Sequence, residues 1–150
     1  QEKKLMSDAD TPSDSCFIDT NVWLYAFVED NDPSKAARAK SLIRTQRTVY
    51  VSTQVINEVC VNLLKQPQFP EQRIQQLIES FYANYAVLKL SKPVLLESSS
   101  LRQRYSLSFW DSVIVSSALH TNAEVLYSED MQDGLVVDRR LRIINPFKKM

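Results

Sequence analysis

Four carboxylates, Asp19, Glu58, Asp111 and Asp130, are placed in this sequence where side chains can do chemistry. Asp19 ends the apolar run Cys16-Phe17-Ile18 and opens Asp19-Thr20-Asn21, so it stands where a buried strand stops and a helix starts. Asp130 follows the β-rich Glu124-Val125-Leu126-Tyr127, inside the acidic loop Ser128-Glu129-Asp130-Met131-Gln132-Asp133-Gly134. Glu58 lies at the margin of an apolar helical stripe, and Asp111 falls in or near the first turn of another helix. Each has a plainer role available, since Asp19 or Thr20 can cap a helix and Asp111 suits the positive end of a helix dipole. Brought to one edge, such carboxylates repel by about 4 kcal/mol per close pair at an effective dielectric near 20, so they must either protonate or hold cations. With oxygen donors and no neighbouring Cys or His, the cations favoured are Mg²⁺ or Mn²⁺ rather than Zn²⁺. A site of that kind suits metal-assisted hydrolysis of a phosphodiester, in which the cation neutralises the charge that develops.

The elements that must position these acids are legible as an alternation. After the strand over 16–18, Val22, Trp23, Tyr25, Ala26 and Phe27 recur at helical spacing and are stopped by the acidic, turn-forming residues 29–33. Pro33 and Ser34 open a longer helix to about Arg44, with Ala36, Ala37, Ala39, Leu42 and Ile43 on its apolar side. Val49-Tyr50-Val51 is a second strand, and Ser52-Thr53 caps a helix whose stripe of Val55, Ile56, Val59, Cys60, Leu63 and Leu64 runs to about Lys65. Glu58, among otherwise uncharged neighbours at the margin of that stripe, wants a partner. Pro67 and Pro70 break the chain before an amphipathic helix to about Tyr85, followed by a strand over 86–90. Pro93 begins a helix ending near Arg102 and Arg104, Val113 to Leu119 form an apolar helix, and strands over 124–127 and 141–144 complete the series. The only histidine, His120, ends the helix before it and suits the negative dipole end.

Strands alternating with helices predict a three-layer α/β fold with a mainly parallel sheet, in which all strand ends point one way and the four acids reach one edge. The chain of 150 residues fits one domain over 16–150, preceded by a polar tail over 1–15 without periodicity. Cys16 and Cys60, both inside apolar runs, read as packing residues in a reducing compartment. A single glycine, Gly134, excludes Gly-rich phosphate cradles. The net charge of zero leaves the partner open, and the lack of a long apolar run or a leader pattern predicts a cytoplasmic chain with no membrane association.

Taken together, Phe17-Ile18-Asp19-Thr20-Asn21-Val22, Ile56-Asn57-Glu58, Phe109-Trp110-Asp111-Ser112 and the loop over 128–134 resemble, in order and spacing, the four acidic motifs of the PIN-domain nucleases. The resemblance is greatest to VapC-like ribonuclease toxins, and it spans about residues 16–147. It implies a five-stranded sheet in the order 3-2-1-4-5, one or two Mg²⁺ or Mn²⁺ ions, endonucleolytic cleavage of RNA, a cognate protein antitoxin and a homodimer. Carried onto this sequence, Asp19, Glu58 and Asp111 form the core acidic set and Asp130 a fourth member, with Asn21 and Ser128 placed to position water or ligands. Ser116-Ser117 departs from the usual Ala-rich helix, which should touch packing alone, and Glu129 competes with Asp130 for the last acidic place.

Two other functions stay open at this level. One is a PIN-like domain that binds RNA or protein without cleaving. The other is a phosphohydrolase using Asp19 as nucleophile, against which stands Asn21 where such enzymes commonly carry a second Asp. Within the last loop, extended geometry would turn residues 128 and 130 to one side and Glu129 to the other, and Asp133 before Gly134 reads as a turn former.

Overall fold

The computed structural model of the chain describes residues 14–148. Six strands, β1 (Ser15–Ile18), β2 (Thr48–Ser52), β3 (Ala86–Leu88), β4 (Val125–Tyr127), β5 (Val136–Val137) and β6 (Leu141–Ile144), form one sheet in the order β3-β2-β1-β4-β6-β5. Six α-helices accompany them: α1 (Thr20–Phe27), α2 (Pro33–Thr45), α3 (Thr53–Leu63), α4 (Glu71–Asn84), α5 (Lys92–Arg104) and α6 (Phe109–Leu119). A single 3-10 turn at Glu29–Asn31 joins α1 to α2.

The central strand is β1. Cys16 pairs in register with Val49 on one side and Val125 on the other, both parallel. A strand covered on both faces must be apolar throughout, and Cys16, Phe17 and Ile18 are each fully buried. The chain moves outward from β1 to β2 and β3, then returns past β1 to β4. Right-handed crossovers, the nearly invariant hand of such connections, put the helices of the two excursions on opposite faces. The helix contacts agree: α1 packs on α2 and α3, and α3 on α4, while α5 packs on α6. The direction therefore reverses between β1 and β4, and in an open parallel sheet the crevice at the carboxyl ends of those strands is where ligands bind. Asp19 directly follows β1, and Ser128 directly follows β4.

Trp23 locks this junction. Its indole N–H donates to the Ile18 carbonyl at 3.0 Å, and its ring packs against Phe81 and Tyr85, each with centroids 5.0 Å away. Beyond its first turn α6 is apolar or serine-bearing all round, and residues 112–118 are buried, as a helical stretch without a polar face must be. Ser116 and Ser117 settle their hydroxyls on the carbonyls of Val94 and Val113, so their departure from alanine concerns packing. Cys16 and Cys60 are free and buried, and burial pushes the Cys16 thiol up to about 12. His120 caps α6 with Nδ1 2.9 Å from the Ser116 carbonyl oxygen.

Three expectations need adjusting. The sheet has six strands, because Val136 and Val137 pair antiparallel with Arg142 and Leu141. This hairpin turns through Asp138 and Arg139, both at positive φ (52° and 58°) without the glycine that usually announces such a turn. The third strand is shorter than expected, Ala86–Leu88. The tail expected over 1–15 lies outside the described residues except for 14 and 15, and there Ser15 already belongs to β1 while the Asp14 carbonyl accepts from the Thr48 amide at 3.0 Å. Among the described residues no helix is long and apolar enough to cross a membrane.

Candidate active site

Asp19 is both cap and pocket residue. Its Oδ1 accepts from the Thr20 amide at 2.7 Å, its Oδ2 from the Ser128 hydroxyl at 2.9 Å, and its own amide donates to the Tyr127 carbonyl. The last residue of β1's run is thus tied directly to the end of β4. Asp19 is only 7% exposed, and burial, the main cause, pushes its carboxyl up to about 6, with the charges of Asp111 and Glu58 adding and the two hydrogen bonds opposing.

Glu58 stands on α3, whose start is fixed by the Ser52 hydroxyl accepting from the Val55 amide at 3.2 Å. Its Oε1 accepts from the Thr20 hydroxyl at 2.8 Å, which is the partner the helix stripe called for. Asp111 lies in the first turn of α6, where its amide donates to the capping Ser108 hydroxyl at 3.1 Å. Asp130, in the loop after β4, accepts a hydrogen bond from the Asn21 side-chain amide. Its carboxyl is held above the usual range, first by partial burial and then by the charges of Glu129 and Asp111.

All four acids line one pocket of about 350 Å³, together with Thr20, Asn21, Gln54, Asn57, Asn62 and Trp110 among others. No lysine or arginine is among the lining residues. Glu129 turns the other way, accepting from the Tyr25 hydroxyl at 2.8 Å and pairing with Lys35, whose ammonium lies 4.9 Å from the Tyr25 ring centroid. Asp133 accepts from the Asn145 amide at 2.8 Å, consistent with a turn role, and Gly134 beside it takes φ 91°. Asn21 and Ser128, expected to position water or ligands, here orient the carboxylates of Asp130 and Asp19.

Three lining residues escaped the sequence reading. Thr20 was weighed only as a cap, although a hydroxyl beside Asp19 could have been suspected of serving Glu58. Trp110 was read inside an acidic motif, and nothing in its neighbours signals exposure. Gln54 carries no motif at all, yet both its side-chain amide atoms are buried without a hydrogen-bond partner in the protein.

As placed, no three acidic, Cys or His side chains among the described residues stand close enough together to cage a metal ion. The donor chemistry nevertheless fits a hard divalent cation: four carboxylates, no soft donors, no competing basic group, and in Asp19 an acid whose charged form is penalised until a cation arrives. Asp19, Glu58, Asp111 and Asp130 are the residues that would hold it. A cation bound there would supply Lewis-acid neutralisation of developing negative charge. The chain itself contributes orientation, through Thr20 and Ser128 on Asp19, Thr20 on Glu58, and Asn21 on Asp130.

Comparison with known proteins agrees with this geometry. The fold matches that of a toxin–antitoxin complex from Klebsiella pneumoniae (TM-score 0.67, 20% identity, covering 88% of this chain and 98% of that one). It also matches VapC20 of Mycobacterium tuberculosis, described as a sarcin–ricin loop cleaving toxin (TM-score 0.62, 16% identity, 77% and 89% covered). A third match is FitAcB from Neisseria gonorrhoeae (TM-score 0.60, 16% identity, 89% and 99% covered). No curated protein sequence matches the chain significantly. The sequence profile of the PIN domain matches residues 16–132, from β1 to the loop that carries Asp130, and the chain therefore belongs to the PIN domain family.

Proposed function

We propose that this chain is a Mg²⁺- or Mn²⁺-dependent endoribonuclease that hydrolyses RNA phosphodiester bonds and acts as the toxin of a toxin–antitoxin pair. The observation that carries the reading is the gathering of Asp19, Glu58, Asp111 and Asp130, from four separate elements, onto one pocket without a basic group. Like charges brought together must either protonate or hold a cation, and a bound cation would also suit an anionic substrate. Asp19, Glu58 and Asp111 form the core of the metal site and Asp130 completes it, with Asn21 and Ser128 holding two of the acids in place. The toxin role and the antitoxin partner draw their support from the family and from the toxin–antitoxin complex that shares its fold, and the homodimer and the cytoplasmic location are proposed from the family resemblance alone.

Purified protein should cut RNA only when a divalent cation is supplied, and Asp19→Asn should reduce cutting to background while the protein stays folded by circular dichroism. Equal cleavage by that variant would point to a contaminating nuclease and sink the reading. The second reading is a catalytically inactive RNA- or protein-binding domain, and what favours it is that no three ligands stand at caging distance. Titration with Mn²⁺ separates the two, since only the nuclease requires a site that closes on the ion.

A further inference from the structure

The acidic pocket does not end at its acids. A second hollow of about 330 Å³, bounded by Arg104, Tyr105, Ser106 and Gln132, shares Asp111 and Asp130 with the first. The two hollows thus adjoin at this pair of acids. On the wall of the first chamber, next to Asp111 in the chain, stands Trp110, which is 63% exposed. The other tryptophan, Trp23, is 1% exposed within the aromatic cluster under α1. Leaving an indole in water costs hydrophobic stabilisation that burial would have supplied, and here the indole is left on the very turn that carries a site acid.

Trp110 is braced. Phe109, also exposed, packs edge-on against it with centroids 5.1 Å apart and planes at 78°. The Arg102 guanidinium lies 4.4 Å from the Phe109 centroid and donates to the Ser112 hydroxyl at 2.7 Å and the Ser98 hydroxyl at 3.4 Å. It thus ties the Phe109 ring to α5 and to the start of α6. An exposed aromatic face on the wall of an acid cluster offers what proteins use to hold one base of a nucleic-acid strand, a surface on which the base can stack. A paired base inside a duplex has both faces covered by its neighbours and gains nothing from such a face.

We propose that Trp110, braced by Phe109 and Arg102, is the platform on which an unpaired nucleobase adjoining the scissile phosphate stacks, so that this wall of the pocket favours an unpaired base over a paired one. This rests on the ribonuclease reading above. The platform stabilises bound substrate, so it acts on KM more than on kcat.

Binding and cutting are measured separately. In EDTA, a single-stranded 2′-O-methyl oligoribonucleotide should quench the exposed part of the tryptophan emission, Trp23 supplying a constant background, and the matching duplex should not. Trp110→Ala should weaken binding of that oligonucleotide about 5- to 100-fold, the range found for loss of one base-stacking aromatic, and Trp110→Phe should restore most of it. With Mn²⁺ and cleavable RNA, Trp110→Ala should raise KM by a similar factor at nearly unchanged kcat. An abasic site beside the cut should harm the wild type and leave the variant no worse.

Equal KM in wild type and Trp110→Ala, with RNA still cut, overturns the platform and leaves the nuclease standing. Trp110-dependent quenching and binding with no cleavage under any divalent cation does the reverse. A shift of Trp110→Ala to smaller size on gel filtration, with the abasic site harmless to the wild type, would assign this face to a protein partner and overturn the proposal.

Discussion

At the carboxyl ends of β1 and β4, four carboxylates share a pocket whose lining holds no lysine or arginine, whereas on the flank of the same loop every acid has found a partner. Glu129 pairs with Lys35, Asp133 lies 3.7 Å from Lys148, and Asp138 receives Arg104 and stands 3.3 Å from the Tyr105 hydroxyl. The contrast shows in the proton equilibria. Asp19 and Asp130 are held above the usual carboxylate range by burial and neighbouring charge, while the Arg104 hydrogen bond holds Asp138 below it. Glu129 and Asp130 are adjacent in the chain and fall on opposite sides of this divide. Paired acids fasten the loop to α2 and α5; unpaired acids remain for a cation that the chain does not itself supply.

The largest expected effect lies in the unpaired set. Expression of the wild-type chain should arrest growth, and Glu58→Ala or Asp111→Ala should relieve it, with cleavage reduced by more than the roughly 10- to 100-fold that loss of an outer partner costs. If the variants arrest growth as the wild type does, the pocket acids are not the functional ones and the comparison collapses.

Across the divide itself, Asp130→Asn should weaken Mn²⁺ binding, read by calorimetry, by about 10- to 100-fold. Glu129→Gln should leave it close to the wild-type value and lower Tm by a few degrees, because it removes the charge facing Lys35 but keeps an oxygen for the Tyr25 hydroxyl. A greater metal defect in the Glu129 variant would reverse the roles of these neighbours.

The smallest effect is on stability. The folded chain holds the Asp19 proton more tightly than the unfolded chain, since its carboxyl is raised from 3.8 to about 6. The stabilisation linked to that proton is complete below pH 3.8, is lost as pH rises to about 6, and stays lost above it. Asp19→Asn in EDTA should therefore be the more stable protein at pH 7, by about 3–8 °C in Tm, and the difference should shrink as pH falls through that window. Saturating Mn²⁺ should favour the wild type instead. An Asp19→Asn protein that melts below the metal-free wild type at pH 7 would mean that its hydrogen bonds to Thr20 and Ser128 outweigh the burial of its charge.

Much of the frame was open to reading from the chain alone. The α/β class, the parallel strands around Cys16-Phe17-Ile18, the placing of Asp19, Asp111 and Asp130 near element junctions and that of Glu58 beside a helical stripe follow from apolar period, capping types and turn residues, which are local properties of a few adjacent positions. β5 escaped because a two-residue strand has no period and its turn reaches positive φ through Asp138 and Arg139 rather than glycine. Which acids stay unpaired was decided only in three dimensions: Lys35 is 94 residues from Glu129, and the Asn21 that serves Asp130 is 109 residues away. The exposure of Trp110 is of the same kind, since Phe109, Trp110 and Ile114 are all apolar in sequence and only the packing of α6 leaves the two rings in water and buries Ile114. Secondary structure is set by neighbours in the chain, but Coulomb pairing and solvent exposure are set by neighbours in space, and those are known only once the sheet has closed.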